Sequence, residues 1–450
     1  MTDTIIALAT PEGESALGLL RISGPLSSML VASALNTPCP IHKNATLTSY
    51  RSIDGETLDQ VVFCFFEEGK SFTGEETIEI TSHGNLLIIK SIIDDLICRG
   101  CRAAEPGEFT RRAFLNGKID LTQAESVAEL ISAKSEIEIK HAQKNLKGFL
   151  SSKIQEIQNK LIRQQANLEA EIDFPEDEID EVKTSSLITQ ISQAQGDIEK
   201  ILEYKNRSQT LREGINVLLL GPPNAGKSTL FNAILGMNRA LVSNEPGTTR
   251  DYITRTIRVE NFSLELTDSA GIRNVNNAIE EQGVRKTIEL IDVSEVILLV
   301  LDGSLPYPAD FNDIITNKVN NKKVIIVENK SDLEKVIEKL NYPENEGIIE
   351  VSATNNSGLE SLLSLVNTIL SKIMGESPES FVLINSRHTL ALKSASECLT
   401  SIHDLINDEA DNLLVLQEMK ETIAHLGNII GTTSNDDMLD ILFSEFCIGK

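Results

Sequence analysis

The run Val217-Leu218-Leu219-Leu220-Gly221-Pro222-Pro223-Asn224-Ala225-Gly226-Lys227-Ser228-Thr229-Leu230-Phe231-Asn232 decides the fold. Apolar residues of strand type pass into a glycine-bounded loop, and the loop opens directly into a helical pattern. A backbone curled over Gly221 and Gly226 turns its N–H groups toward a phosphate, Lys227 brings a mobile positive charge, and the Ser228 hydroxyl suits Mg²⁺. Strand, phosphate loop and helix in that order specify an α/β nucleotide-binding sheet, and alone they leave ATP and GTP open.

Outward from the loop, the same texture runs from Ile215 to about Leu370. Apolar strands at Val217 to Leu220, Leu264 to Leu266, Val296 to Leu301, Val324 to Val327 and Ile348 to Val351 alternate there with helical segments. The alternation predicts a parallel sheet with helices on both faces. Asn329-Lys330-Ser331-Asp332 follows one of the strands. The Asp332 carboxylate can accept from N1 and N2 of guanine, and adenine offers no such donor pair, so this position selects GTP. Ser352-Ala353-Thr354 follows the next strand and can offer a backbone N–H to the guanine carbonyl. Asp268-Ser269-Ala270-Gly271 puts Asp268 where it holds Mg²⁺ through water and Gly271 where its N–H senses the γ-phosphate. Gly247-Thr248-Thr249-Arg250 adds the Thr249 hydroxyl as a second metal ligand. Ile272 stands where Ras-like enzymes carry a water-orienting glutamine, so the catalytic carboxylate is sought in Glu280 or Glu281.

At 450 residues, with about 150 residues per domain, the chain suggests about three domains. Lys and Arg number 41 against 67 Asp and Glu, a formal net charge of −26, which excludes a basic nucleic-acid coat. The 41% hydrophobic content excludes a mostly disordered chain, and 4% aromatics without Trp predict an aliphatic core. The six cysteines are scattered and read as reduced thiols; Cys98-Arg-Gly-Cys101 lacks a second pair at zinc spacing. The start of the sequence lacks a signal-peptide pattern and the apolar runs are strand-sized, so a cytoplasmic protein without a membrane partner is expected.

Up to about Asn116 short β-like runs (Thr4 to Ala9, Leu17 to Ile22, Val61 to Phe66, Glu76 to Thr81) surround one helical stretch, Leu86 to Ile97, as in a small α+β domain. From Leu146 to Ile172 apolar residues recur at helical spacing, predicting one long amphipathic helix that stops at Phe174-Pro175. An acidic run follows (Glu176, Asp177, Glu178, Asp180, Glu181), then a second periodic stretch from Leu187 to Leu211. Helices return after Glu376-Ser377-Pro378, at Thr389 to Asn407 and Leu413 to Leu426, so a helical domain in two pieces carries the α/β domain inserted between them. His83 reads as a packed or capping histidine, and Cys447 as a structural rather than a nucleophilic thiol.

The order of these motifs, together with Pro106-Gly107-Glu108-Phe109-Thr110-Arg111-Arg112-Ala113-Phe114-Leu115-Asn116-Gly117-Lys118 and Phe446-Cys447-Ile448-Gly449-Lys450, resembles the MnmE (TrmE) family of tRNA modification GTPases. The resemblance implies a folate-binding and dimerising N-terminal α+β domain over 1–117, a discontinuous helical domain over 118–212 and 377–450, and an inserted Ras-like doubly wound G domain over 213–376. It implies a nucleotide site formed by 224–229, Ser243-Asn244-Glu245-Pro246-Gly247-Thr248-Thr249, 268–271, 329–332 and 352–354. K⁺ would be held by Asn224, Ser243, the Glu245 carbonyl and Thr248, doing the work of an arginine finger when two G domains pair, and the catalytic carboxylate becomes Glu280.

For the one-carbon donor, 5-formyl- or methylene-tetrahydrofolate, the implied residues are Arg21, Glu79, Lys118 and Lys450, with Glu14 and Asn85 departing from the family pattern nearby. A pterin presents a guanine-like edge that Glu79 can read. The implied partners are a second copy of the chain, an FAD-dependent MnmG (GidA)-like protein in a heterotetramer or larger complex, and tRNA. The implied product is a carboxymethylaminomethyl-type group at C5 of the wobble uridine. A ribosome-assembly or RNA-binding GTPase is the rival reading; it calls for a basic appendage that the acidic composition does not show.

Overall fold

The computed structural model describes residues 3–38, 40–173, 184–237, 253–260, 262–268, 280–307, 319, 322–338, 342–374, 382–433, 436–444, 446 and 448–449. The chain forms two compact units, one of Met1–Ile131, Lys144–Ile198 and Leu390–Lys450, the other of Ser132–Gln143 and Glu199–Thr389. The α+β, helical and α/β parts expected from the sequence are present, with the α/β part lying along the chain between helical segments.

The first unit holds a six-stranded sheet of β1 (Thr4–Leu8), β2 (Ser15–Ser23), β3 (Thr46–Arg51), β4 (Thr57–Phe66), β5 (Thr77–Gly84) and β6 (Cys101–Ala103), in the order β3-β4-β5-β2-β1-β6. All neighbours are antiparallel except β1 and β6. Alternation buries Leu20 and Ile22 of β2, Val61, Phe63 and Phe65 of β4, and Ile78 and Ile80 of β5 on one face. The helix Leu86–Cys98 covers them through Ile89, Ile92 and Leu96, and Asn85 caps it by accepting from the Leu87 N–H at 2.9 Å. β3, β6 and the helices Ser27–Ala34 and Glu108–Leu115 add to the sequence expectation. Cys98 ends a helix and Cys101 opens β6, and both are free thiols. His83 is exposed and pairs with Asp59 at 2.7 Å, so it is neither packed nor capping.

The long periodic run divides in two. Helix Glu136–Leu146 ends at a turn in which Gly148 takes φ 83°, and Phe149–Asp173 begins beyond it. The second helix buries Leu150, Ile154, Ile157, Leu161 and Leu168 along one stripe, each contributing roughly 1.5–3 kcal/mol. It packs on helix Asn412–Ile430, where Gln158 Nε2 donates to the Ile423 carbonyl at 3.0 Å. Helix Asp436–Ser444 lays Leu439 and Phe443 on Leu121 and Ala124, with Phe446 beside them. The stretch from Leu187 likewise forms two helices, Thr184–Leu202 and Lys205–Glu213.

The second unit holds β7 (Ile215–Leu220), β8 (Ile253–Val259), β9 (Phe262–Asp268), β10 (Val296–Asp302), β11 (Lys323–Asn329) and β12 (Gly347–Glu350), in the order β12-β11-β10-β7-β9-β8. β7 and β9 to β12 are parallel as their continuous apolar runs predict, and β10 is buried on both faces. The fully parallel expectation is corrected at the edge, where β8 pairs antiparallel with β9. The strand order reverses at β7, and a doubly wound sheet opens its ligand crevice at the carboxyl ends beside such a reversal. Among the described residues no helix is long and apolar enough to cross a membrane.

Candidate functional site

At the carboxyl end of β7 the chain enters the phosphate loop under tight contact. A Cβ on Gly221 would lie 2.1 Å from the Val300 carbonyl oxygen of β10, and one on Gly226, at φ 90°, would lie 2.2 Å from Asn329 Nδ2. Asn224 sits at φ 63° and is exposed. Helix Lys227–Met237 follows and buries Leu230, Phe231 and Ile234, fixing its first turn against the sheet. Ser228 and Thr229 are exposed in that turn, where unpaired helix N–H groups favour an anion. Lys227 is 8% exposed, and its Nζ donates to the carbonyls of Gly221 at 2.8 Å and Pro222 at 3.0 Å. Burial pulls its ammonium below the ordinary lysine value, and the charge of Asp268 opposes that pull. Asp268, 3% exposed, ends β9 in register with Leu219 of β7.

The base-side segment is built at the ends of β11 and β12. Asn329 joins it to the phosphate loop: Nδ2 donates to the Ala225 carbonyl at 2.9 Å, and Oδ1 accepts from the Ala353 N–H at 3.2 Å. Lys330, at φ 63°, donates from Nζ to Asp302 at 2.6 Å. Burial would raise the Asp302 carboxyl, but Lys330 and Ser304 overcome it and hold the group below its usual range. The Ser331 N–H donates to the Val351 carbonyl at 3.0 Å, and Ser352 Oγ donates to Asp332 Oδ1 at 2.6 Å. Asp332 and Thr354 are exposed. Asn329 thus ties the phosphate loop at Ala225 to the 352–354 segment at Ala353, Ser352 ties that segment to Asp332, and the charge of Asp268 acts on Lys227.

Ser243, Asn244, Glu245, Pro246, Gly247, Thr248, Thr249, Ser269, Ala270, Gly271 and Lys450 lie outside the described residues, as do Ile272, Cys447 and the acidic run 176–181. Glu280 opens helix Glu280–Val293, and its side chain also lies outside them. Asp302 was missed by the sequence reading; an acid closing an apolar strand before Gly303 is the signal that marks it.

In the first unit, Arg21 of β2 and Glu79 of β5 are register partners. Arg21 Nε and Nη2 both donate to Glu79 Oε1, at 3.0 and 2.8 Å, and among the described residues no bond falls on Oε2. Arg21 also points Nη1 at the Gly449 carbonyl at 3.4 Å and lies 5.8 Å from the Phe109 ring centre. Gly449 sits at φ 92°, where a Cβ would meet the Leu8 carbonyl at 2.5 Å. Arg21, Glu79 and the residue preceding Lys450 thus converge, whereas Lys118 donates to the Gly69 carbonyl in the β4–β5 connection.

Beneath this patch Arg112, with no exposed side-chain surface, binds Glu75, Glu108 and Asp3 at 3.1, 2.9 and 2.9 Å. Arg102 beside Asp3 draws that carboxyl below its usual range. Burial works against the charge of Glu108, but Arg102, the Glu105 amide and Arg112 outweigh it and leave that carboxyl lowered as well.

Residues 4–118 match the family model described as the GTP-binding protein TrmE N-terminus, and residues 121–447 match the MnmE helical domain. The tRNA modification GTPase MnmE of Clostridioides difficile is 37% identical over 456 aligned positions, covering 100% of this chain and 99% of that protein. The protein of the same name from Thermotoga petrophila is 34% identical and covers 100% of both. Among solved structures, a variant of Era from Aquifex aeolicus bound to GDP·AlF4⁻ is 26% identical over 41% of this chain and 66% of its own, with a TM-score of 0.28.

Proposed function

This chain belongs to the MnmE (TrmE) family of tRNA modification GTPases, and from that premise we propose that its GTP hydrolysis drives modification at C5 of the wobble uridine. Asn329 carries the reading of the nucleotide site: one amide joins the phosphate loop to the base-side segment, so a guanine and its phosphates are gripped by a single crevice. Asp332 accepts from N1 and N2 of guanine, and the Ala353 segment supplies the N–H for its carbonyl. Lys227 exchanges two loop carbonyls for phosphate oxygens, and its burial strengthens that attraction.

The exposed Ser228 hydroxyl and the Asp268 carboxylate are oxygen donors suited to Mg²⁺, with Thr249 as the further ligand. Mg²⁺ supplies neutralisation of the charge that develops on the phosphates. Glu280 orients the attacking water, and Asn224 with Ser243, Glu245 and Thr248 forms the K⁺ site of the paired G domains.

The reduced folate is read at the Arg21–Glu79 pair. Glu79 retains Oε2 as an acceptor for an amino-pyrimidinone edge, while Arg21, Lys118 and Lys450 provide cations for carboxylates or a formyl oxygen. The chain acts in the cytoplasm as a homodimer with an MnmG-like FAD protein. Mass analysis of wobble nucleosides from cells lacking this chain tests the proposal: the C5-modified uridines should disappear. Unchanged nucleosides would sink it in favour of an RNA-binding switch. Replacing K⁺ by Na⁺ should abolish the stimulated hydrolysis, and indifference removes the K⁺ site.

A further inference from the structure

The residue just before the guanine-reading segment is a buried acid. Glu328, 2% exposed, lies in β11 immediately ahead of its last residue, Asn329, and its register partner is Glu350, which closes β12 immediately ahead of Val351. Two like charges directly opposite on neighbouring strands repel, and a buried carboxylate is costly unless it is paired. Lys335 resolves both problems, since its Nζ lies 2.5 Å from Glu328 Oε2 and 2.5 Å from Glu350 Oε1. Tyr342 donates its hydroxyl to Glu328 Oε1 at 2.8 Å and packs on Tyr307. The backbone around Lys335 is fixed as well: the Val336 N–H donates to the Gly303 carbonyl, and the Gly303 N–H donates to the Asn329 carbonyl, at 2.9 and 2.8 Å.

We propose that Lys335 is a positioning residue for guanine selection, clamping the ends of β11 and β12 through Glu328 and Glu350 so that Asp332 and Ala353 face the base together. The two strands deliver different halves of the base reader. β11 leads into Asn329 and Asp332, and β12 leads into Ser352 and Ala353; the halves touch through Ser331 N–H to the Val351 carbonyl, Val351 N–H to the Glu328 carbonyl, Ala353 N–H to Asn329 Oδ1 and Ser352 Oγ to Asp332. Without the ammonium the bridge from Glu328 to Glu350 across the two strand ends is lost, and the like charges of these register partners act on this seam. The Lys335 ammonium is engaged by Glu328 and Glu350 at the ends of the base-side strands, so its effect falls on base selectivity rather than on phosphate affinity.

The inference rests on Asp332 as the guanine reader, and the test separates the two. Binding of GDP and IDP, which lacks the 2-amino group, is measured on the full chain for Lys335→Met, Glu328→Gln/Lys335→Met, Glu350→Ala and Asp332→Asn. Lys335→Met should narrow the GDP-over-IDP preference by roughly tenfold, and the double variant, which removes the stranded charge, should restore most of it. Glu350→Ala, which removes only the exposed end of the clamp, should narrow the preference less; it carries the test if Lys335→Met does not fold. A wild-type preference in Lys335→Met, or in Glu350→Ala where that variant carries the test, overturns the clamp. So does a double variant as impaired as Lys335→Met. If Asp332→Asn keeps the guanine preference, the base-reader assignment falls and the clamp with it; if only Asp332→Asn loses preference, the clamp alone falls.

Discussion

At Gly221 the space for a side chain is filled by the backbone of a neighbouring strand, because a Cβ there would lie 2.1 Å from the Val300 oxygen. Gly221→Ala must move β10 or open the phosphate loop, so GDP affinity should fall roughly tenfold to a hundredfold in calorimetry. Glu280→Ala should act differently: GTP affinity stays close to wild type while single-turnover hydrolysis slows by about 10²–10⁴-fold. Retained hydrolysis would assign the water to another group. The phosphate loop and Asp332 were legible in the sequence because each motif is contained in a few consecutive residues after an apolar strand. Arg21 and Glu79 were named only through family resemblance, and their meeting with Gly449 was not legible, since the partners lie 58 and 428 residues apart and nothing local links them. Glu328 was not legible at all; its neighbours in sequence give no sign that β12 and Lys335 enclose it.

Elements whose apolar pattern is continuous were legible, and those that are short or half-exposed were not. β3 buries only Tyr50, β6 has three residues, and β8 shows its alternation only at its end, so none stands out from a loop. The turn at Gly148 escaped because apolar spacing continues across it, and only a positive φ marks the break. Packing of helix Asp436–Ser444 in the first unit depends on Gly107, which takes φ 66° and would press a Cβ within 2.6 Å of the Phe443 carbonyl. Gly107→Val should displace helix Asp436–Ser444 and cost about 1–3 kcal/mol in urea denaturation. The cluster around Arg112 gives the unit a pH dependence. Because the folded Asp3 and Glu108 carboxyls titrate below their ordinary values near pH 4, their stabilisation is complete above about pH 5. It is lost as the pH falls through their lowered values. Arg112→Met should cost about 3–5 kcal/mol at pH 7, and that deficit should shrink toward pH 3 as the stranded acids become protonated.

For the whole molecule, a formal charge of −26 sets the terms on which tRNA is held. Few phosphate neutralisations are available on such a surface, so tRNA binding by this chain alone should be weak and its salt dependence shallow. Adding the proposed flavin-dependent partner should steepen the slope of log affinity against log salt, measured by filter binding. A steep slope for the chain alone would place the basic contacts here. The first unit is also divided in time. Its opening segment ends at Ile131, while Phe443, Phe446 and Gly449, which pack on Gly107 and beside Leu8, are synthesised some 300 residues later, after the entire nucleotide-binding unit. At ribosomal speed that interval is roughly 15–60 s. During translation the GTP-binding unit can close while Arg21 still lacks its Gly449 partner. A nascent chain therefore completes the unit that carries the phosphate loop before the Arg21–Gly449 contact can form, and the late residues act as the final fastener.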